Sequence, residues 1–451
     1  MSGHGTLALS SSSSSNLLQF LIQVSEPLRE SISATSYAPP PAHANVSVKS
    51  LLLSLLPDPS VPDQQLQTKI KDFALCCAAL ASSSSSPNFP SQHLSWVPES
   101  LSDCAVSAWK DFTTAYYDDA MRSKCSTQVL GELELDLREV SDCEKKLAIE
   151  LMPEVLPLLK SSIKESAIGP DEESGAVSAA SARVPVAYAI LAAYQFRWFV
   201  TQVGAPQLGK LCPLVIPCAL TALDHWSPEV KGQGMISFIC LGKNVSAAEI
   251  GGYADAILDA CCQNIACDDE IWQYVVEMSV LLVTLTQQCN PRSPWYEKIL
   301  NEMLNHLERQ PRNKQRRIAW LTHCDLLFNG LGLVLLAHFR RLFPLFFKWI
   351  HADDDQTVLL VLKRMTTVAR LTWIRNSPFI ERLVDELVVL YKDSALKIAC
   401  EDIRSLILPL LNTIRVSKQS QFDATWAKYK DDPNLTALSQ PLARRDLEMV
   451  G

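Results

Sequence analysis

The sequence predicts an all-α chain built as an α-solenoid of stacked antiparallel helix pairs, and three observations predict it. Polar turns recur at Asp224, Asp268, Gln310, Asp353 and Asp393, spaced 44, 42, 43 and 40 residues apart, which is the period of a repeating helix pair. The helices on the two sides of these turns differ in kind: those before carry one narrow apolar stripe, and those after are apolar over most of their circumference. Composition agrees, with 48% hydrophobic residues and only 15 glycines in 451 positions. Period-2 alternation, the mark of strands, is almost absent.

Taken in order, residues 1–98 read as an irregular helical region with serine-rich loops. Helices are expected near Leu17 to Ile32, Val46 to Leu56 and Gln64 to Ala81. The serine tracts Ser10 to Ser15 and Ala81 to Pro87, with the APPPA segment at Ala38 to Ala42, are expected to be mobile loops between them. Residues 99–208 read as diverged helical pairs, the clearest being Lys145 to Ile163 followed by Ala176 to Val203, with an acidic loop at Gly169 to Gly175 between them.

Residues 209–417 carry the regular repeats, and the pair from Leu211 to Gly242 organises them. Leu211, Leu214, Val215, Cys218 and Ala222 share a helical face, Asp224, His225 and Trp226 interrupt it, and Ser227-Pro228 opens a second helix as N-cap and first-turn proline. Val230, Met235, Phe238, Ile239 and Leu241 give that helix its apolar face. Gly232 and Gly234 lie inside it, where each costs roughly 1 kcal/mol relative to alanine, so a close helix contact is their expected role. The turn residues, Pro228-Glu229-Val230-Lys231 and the closing Leu241-Gly242 resemble the HEAT repeat, so the fold class is a HEAT/ARM-like α-solenoid.

Further copies follow by pattern. Trp295, Tyr296, Ile299, Leu300, Met303, Leu304 and Leu307 form one stripe, and Phe379, Ile380, Leu383, Val384, Leu387 and Val388 another, in helices opened by Ser293-Pro294 and Ser377-Pro378. Val358 to Ile374 is apolar nearly all round, as expected of an inner helix touching its own partner and both neighbouring repeats. Residues 418–451 turn polar, and Asp432-Pro433 and Gln440-Pro441 stop any helix, leaving a short helix and a frayed tail.

Charge argues against nucleic acid as the main ligand. Lys and Arg total 41 against 49 Asp and Glu, a formal net of -8, and counterion release needs a basic surface. One local exception collects Arg309, Arg312, Lys314, Arg316 and Arg317, joined further on by Arg340 and Arg341. Two readings stand: a solvated turn whose cations cap their own repeat, or a candidate partner-binding patch for an acidic surface. On the second, reversing Arg316 and Arg317 to Glu weakens binding without unfolding the chain.

The 14 cysteines show no C-x-x-C spacing and sit mostly among Ala, Leu and Ile, so reduced thiols and no metal are expected. His323-Cys324 are neighbours that diverge by roughly 100° on a helix, a poor metal pair. The apolar runs Val184 to Val200 and Leu326 to Ile350 are broken by charged or polar residues, so a soluble chain outside the membrane is expected. No phosphate-binding loop, zinc-protease or serine-hydrolase motif occurs, and Asp353, Asp354 and Asp355 read as a solvated turn with an N-cap. No cofactor and no catalytic residue is expected.

From Leu211 to about Ile414 the chain resembles the Tel two-interacting protein two family, a subunit of the TTT complex. The resemblance rests on LTALDHWSPEVKGQGMISFICLGKNV, on WYEKILNEMLNHLERQ, and on RRIAWLTHCDLLFNGLGLVLLAHFRRLFPLFFKWI with its Gly330-Leu331-Gly332 turn. It implies a non-catalytic scaffold that assembles with two larger helical-repeat proteins into a co-chaperone. That complex works with heat shock protein 90 and supports maturation of the phosphatidylinositol 3-kinase-related (PIKK) kinases, in the cytoplasm and with the nucleus as a second compartment. The alternatives are another HEAT-type adaptor, for nuclear transport or as a phosphatase scaffold, and, from another class, an enzyme with an unrecognised site.

Overall fold

The computed structural model describes residues 11–38, 47–58, 65–84, 93–122, 137, 140–166, 185–288, 290–374 and 378–438. Among these the regular structure is helical, and the fold is an all-α, HEAT-like arrangement of stacked helix pairs. The chain divides into two compact units, Met1–Ala260 and Cys261–Gly451.

The first unit holds α1 (Ser11–Ala34), α2 (Val48–Leu55), α3 (Leu66–Ser84), α4 (Glu99–Arg122), α5 (Cys143–Glu165), α6 (Val186–Gln202), the short α7 (Gln207–Lys210), α8 (Cys212–Leu223), α9 (Pro228–Asn244) and the short α10 (Ala247–Ile250). Two layers result: α3, α6 and α9 lie side by side, and α4, α5 and α8 cover them. Helix α6 is the hub, because it meets α3, α5 and α9, and every residue from Ala189 to Val200 is buried. Its polar residues survive burial by bonding to α3: Gln195 Nε2 donates to the Leu75 carbonyl at 3.0 Å and an Arg197 amino group to the Ser82 carbonyl at 2.6 Å.

Two expectations about the serine tracts are corrected. Ser11–Ser15 form the first turns of α1, and Ser84 ends α3, so these serines extend helices where loops were expected. Serine lowers helix propensity only slightly, and α1 is carried by the buried stripe Leu17, Leu21, Leu28 and Ile32 against α4. The acidic loop at 169–175, the stretch 176–184 and the tail beyond 438 lie outside the described residues, as do 39–46 and 85–92.

Helix α11 (Ala254–Asn264) spans the division. The second unit follows with α12 (Asp269–Thr286), α13 (Pro294–Arg309), α14 (Lys314–Leu331), α15 (Phe339–Trp349), α16 (Asp355–Thr372), α17 (Ile380–Asp393), α18 (Cys400–Ser417) and α19 (Gln419–Trp426). Helices α12, α14, α16 and α18 pack in sequence as one layer, while α13, α15 and α17 alternate with them in the other. Four of the five polar turns read from the sequence, Asp224, Asp268, Gln310 and Asp353, fall between two helices, and the fifth position, Asp393, is the last residue of α17. Ser293 caps α13 by accepting from the Trp295 N–H at 3.3 Å.

Some boundaries moved. Helix α9 runs through Gly242 to Asn244, and α16 stops at Thr372, where Trp373 and Ile374 adopt left-handed φ values of 50° and 47°. Gly330 and Leu331 belong to α14, and only Gly332, at φ 51°, makes the turn. Within the run Lys314–Trp349 one 18-residue window is, by length and composition, apolar enough to cross a membrane. Here the run is α14, a 3-10 segment at Gly332–His338 and α15, with α14 and α15 each packed against α13 and α16.

Candidate functional site

The second unit sorts the seven singled-out cations into two groups. The inner-layer helices start along one edge, and acidic residues at those starts pair with groups on a neighbouring repeat. Arg316 is buried: Nε donates to Asp269 Oδ1 at 2.5 Å, Nη2 donates to the Cys267 carbonyl at 2.9 Å, and the guanidinium lies 5.3 Å from the Trp272 ring centre. Asn313, the N-cap of α14, holds the other Asp269 oxygen at 2.8 Å. The next rung is an ion pair between Arg317 and Asp354, with Arg317 Nε also donating to Thr357 Oγ1 at 3.0 Å. In the third, Asp355 accepts from the Ala399 N–H at 2.9 Å and from Lys397 Nζ at 3.4 Å.

Midway along the same helices, Asp325 pairs with Arg364 and accepts from Thr367 Oγ1 at 2.8 Å. Charges with so many bonds are structural braces. Partial burial works to raise the Asp354 carboxyl, but bonds from Thr357 and the Arg317 guanidinium outweigh it and hold the group below its ordinary value. Asp269 is held low in the same sense by Arg316 and Asn313. Arg341 braces the other layer: it grips both Glu308 carboxylate oxygens at 2.8 Å and reaches Asn301 and Asn305 on α13.

The remaining cations face solvent. Arg309, Arg312 and Arg340 are exposed and make no ion pair among the described residues, and Lys314, more than half exposed, lies 4.0 Å from Asp354. The seven therefore do not form one patch. Reversing Arg316 and Arg317 would set carboxylates against Asp269 and Asp354 inside the stack, so the expectation that the fold tolerates it is corrected. The partners Asp269, Asp354 and Asp355 were missed as braces. The signal was present, since acidic pairs open α12 and α16 one repeat before and after the Arg316-Arg317 pair.

The Asp224-His225-Trp226 turn of the first unit holds a serine–histidine contact whose chemistry is readable from its bonds. The Ser227 N–H donates to His225 Nδ1 at 3.0 Å, so the neutral ring carries its proton on Nε2 and donates to Ser166 Oγ, also at 3.0 Å. The Ser166 hydroxyl in turn donates to the Ile163 carbonyl at 3.2 Å. With its lone pair already used, the ring cannot take a proton from Ser166, and the contact ties the C-terminus of α5 to the α8–α9 turn. Burial, with Lys231 adding to it, lowers the His225 pKa to about 4.

Close helix contact accounts for Gly234 of α9. A Cβ on Gly234 would sit 2.9 Å from the Ala222 Cβ and 3.3 Å from the Ala219 carbonyl of α8. Among the described residues no group of three or more His, Cys, Asp or Glu could hold a metal ion. Described cysteines are free thiols, and burial pushes Cys76, Cys218 and Cys261 up to about 12, which keeps them un-ionised.

No protein-family model matches the chain. It is, however, 55% identical over 429 residues to Uncharacterized protein At2g39910 of Arabidopsis thaliana, with 95% of each chain covered. The chain belongs to the At2g39910 family. Solved structures similar to it include a crystal structure of an engineered protein, with TM-score 0.42, 13% identity, 95% of this chain and 97% of that one. Another is Kap121p bound to Pho4p, with TM-score 0.45, 10% identity, 94% of this chain and 49% of that one. The fold of this At2g39910 relative rests on its own helix pairs, and its candidate surface is the edge where the inner helices of the second unit begin.

Proposed function

We propose that this chain is a non-catalytic helical-repeat scaffold that acts by binding proteins, as a subunit of a TTT-type co-chaperone complex supporting PIKK maturation with heat shock protein 90. The observation that carries the binding reading is the braced edge of the second unit. Three rungs hold the helix starts in register, and on that edge Arg309 and Arg312 stand unpaired among the described residues, beside the exposed Lys314 at 4.0 Å from Asp354, which together offer cations to a partner. The TTT assignment rests on the resemblance from Leu211 to Ile414, and its partners would be the two larger helical-repeat subunits. A stacked array offers surface for binding.

The test is co-expression of the full chain with those larger subunits, followed by size-exclusion chromatography. Co-elution that weakens when Arg309, Arg312 and Lys314 are replaced by alanine, in a protein that melts normally, supports the reading. A folded chain that elutes alone sinks the TTT assignment, and co-elution indifferent to the three substitutions removes this edge from the interface.

A further inference from the structure

The turn between α17 and α18 exposes apolar side chains more completely than the other described exposed apolar positions. Leu396 is 94% and Ile398 102% exposed, whereas the remaining large exposed hydrophobics lie between 36% and 76%. Leaving two aliphatic side chains in water on one short turn is unfavourable unless something covers them. The turn is also held rigidly. Lys397, between the two, points inward and donates to the Ala352 carbonyl at 3.0 Å and to Asp355 at 3.4 Å, while the Ala399 N–H bonds Asp355 at 2.9 Å.

Ser394, at the start of the turn, is buried, donates to the Tyr391 carbonyl at 2.7 Å and accepts from Arg404 Nε at 3.1 Å. Residues on both sides of each apolar side chain are thus anchored, so Leu396 and Ile398 project from a preformed support and little ordering remains to oppose binding.

The surroundings choose the partner. Asp393, Glu401 and Asp402 are exposed within five residues of this pair and have no cation among the described residues, while the nearby Lys392 and Lys397 are occupied by Asp432 and Asp355. An apolar tip in an acidic setting repels anionic lipid and attracts cations. We propose that the α17–α18 turn is a docking prong for a partner protein segment whose apolar side chains are flanked by Lys and Arg. The proposal rests on the protein-binding reading above, but it uses none of Arg309, Arg312 or Lys314.

The experiment selects binders from a phage-displayed library of random 12-residue peptides on the full-length protein, with counter-selection on the Leu396→Ser, Ile398→Ser variant. That variant should melt like the wild type, because neither side chain packs on the fold. Selected peptides are expected to carry apolar residues flanked by Lys or Arg, to bind at least tenfold more weakly to the double serine variant, and to weaken with added salt. The charge variant Glu401→Lys, Asp402→Lys should also weaken them, whereas Arg309→Ala, Arg312→Ala, Lys314→Ala should not; that contrast separates failure of this proposal from failure of the basic-edge reading. Peptides with no cationic flank, or equal binding to the serine variant, overturn the proposal. So does self-association, or binding to anionic phospholipid vesicles, that the serine variant abolishes, because the occupant would then be a second copy or a membrane.

Discussion

Replacing Arg317 by alanine should destabilise the second unit, whereas replacing Arg312, five residues earlier, should not. An exposed ion pair contributes roughly 0.2–1 kcal/mol, and removing one partner of a buried pair costs about 3–5 kcal/mol. The Arg317 and Asp354 side chains are 13% and 15% exposed, which places the pair between those limits. Asp354 would keep its bond from the Thr357 N–H at 2.9 Å and could draw Lys314 closer, so a cost of about 2 kcal/mol is expected. For a unit of about 190 residues that is a fall of roughly 4–8 °C in the thermal midpoint. Arg312 offers an exposed side chain, and its loss should stay within about 0.5 kcal/mol.

The difference should also depend on pH in a fixed direction. Asp354 has a depressed folded pKa, so the stability it supplies is present above the unfolded carboxylate value and is lost as pH falls through the folded one. Scanning calorimetry of wild type and both variants near neutral pH and in acid reads this directly. Equal midpoints for Arg317→Ala and Arg312→Ala would refute the division of the cations into braces and free side chains.

Three further outcomes follow from the packing. Gly330→Ala places a methyl group 2.6 Å from the Tyr296 hydroxyl and 2.8 Å from its ring carbon Cζ, so the variant should lose about 1–3 kcal/mol by overpacking despite roughly 1 kcal/mol of added helix propensity; stabilisation in urea unfolding would show that α13 and α14 are not in contact there. Phe238→Ala removes a fully buried ring from α9 and should cost about 3–5 kcal/mol, read as a lowered unfolding midpoint. His225 is buried neutral with a pKa of about 4, against the ordinary 6.5, so between those values the unfolded chain binds more protons. Stability should therefore fall on acidification across that window by about 2–3 kcal/mol, and a His225→Asn variant, weaker at neutral pH, should lack that step.

Much of the second unit was legible because helix pairing is a local signal. The Ser293-Pro294 start, the stripe from Tyr296 to Leu307 and the turn at Asp353 each declare themselves within one turn or one helix. The braces were not legible in the same way, because a run such as Arg309 to Arg317 has the composition of a solvated turn. What removes Arg316 and Arg317 from solvent is Asp269 and Asp354, 47 and 37 residues away. Only the register of the stack brings them together. Helix α4 escaped the reading because its apolar residues are interspersed with small and polar ones, yet Trp109 and Phe112 on it are fully covered. Leu396 and Ile398 gave no periodic signal, since a turn has none.

The burial of α6 has a consequence for how this chain is made. Two of its neighbours, α3 and α5, precede it in the sequence, but α9 follows and ends 42 residues after Gln202. At synthesis rates of about 5–20 residues per second, that interval is roughly 2–8 seconds. During those seconds the growing chain carries a helix whose α9-facing side has nothing to meet, next to the open face of α3 and α5. A polypeptide released at residue 210 should therefore aggregate or be held by chaperones, and one released after Asn244 should not. Comparing the solubility of the two truncations made in a cell-free system would locate the point at which the first unit can close.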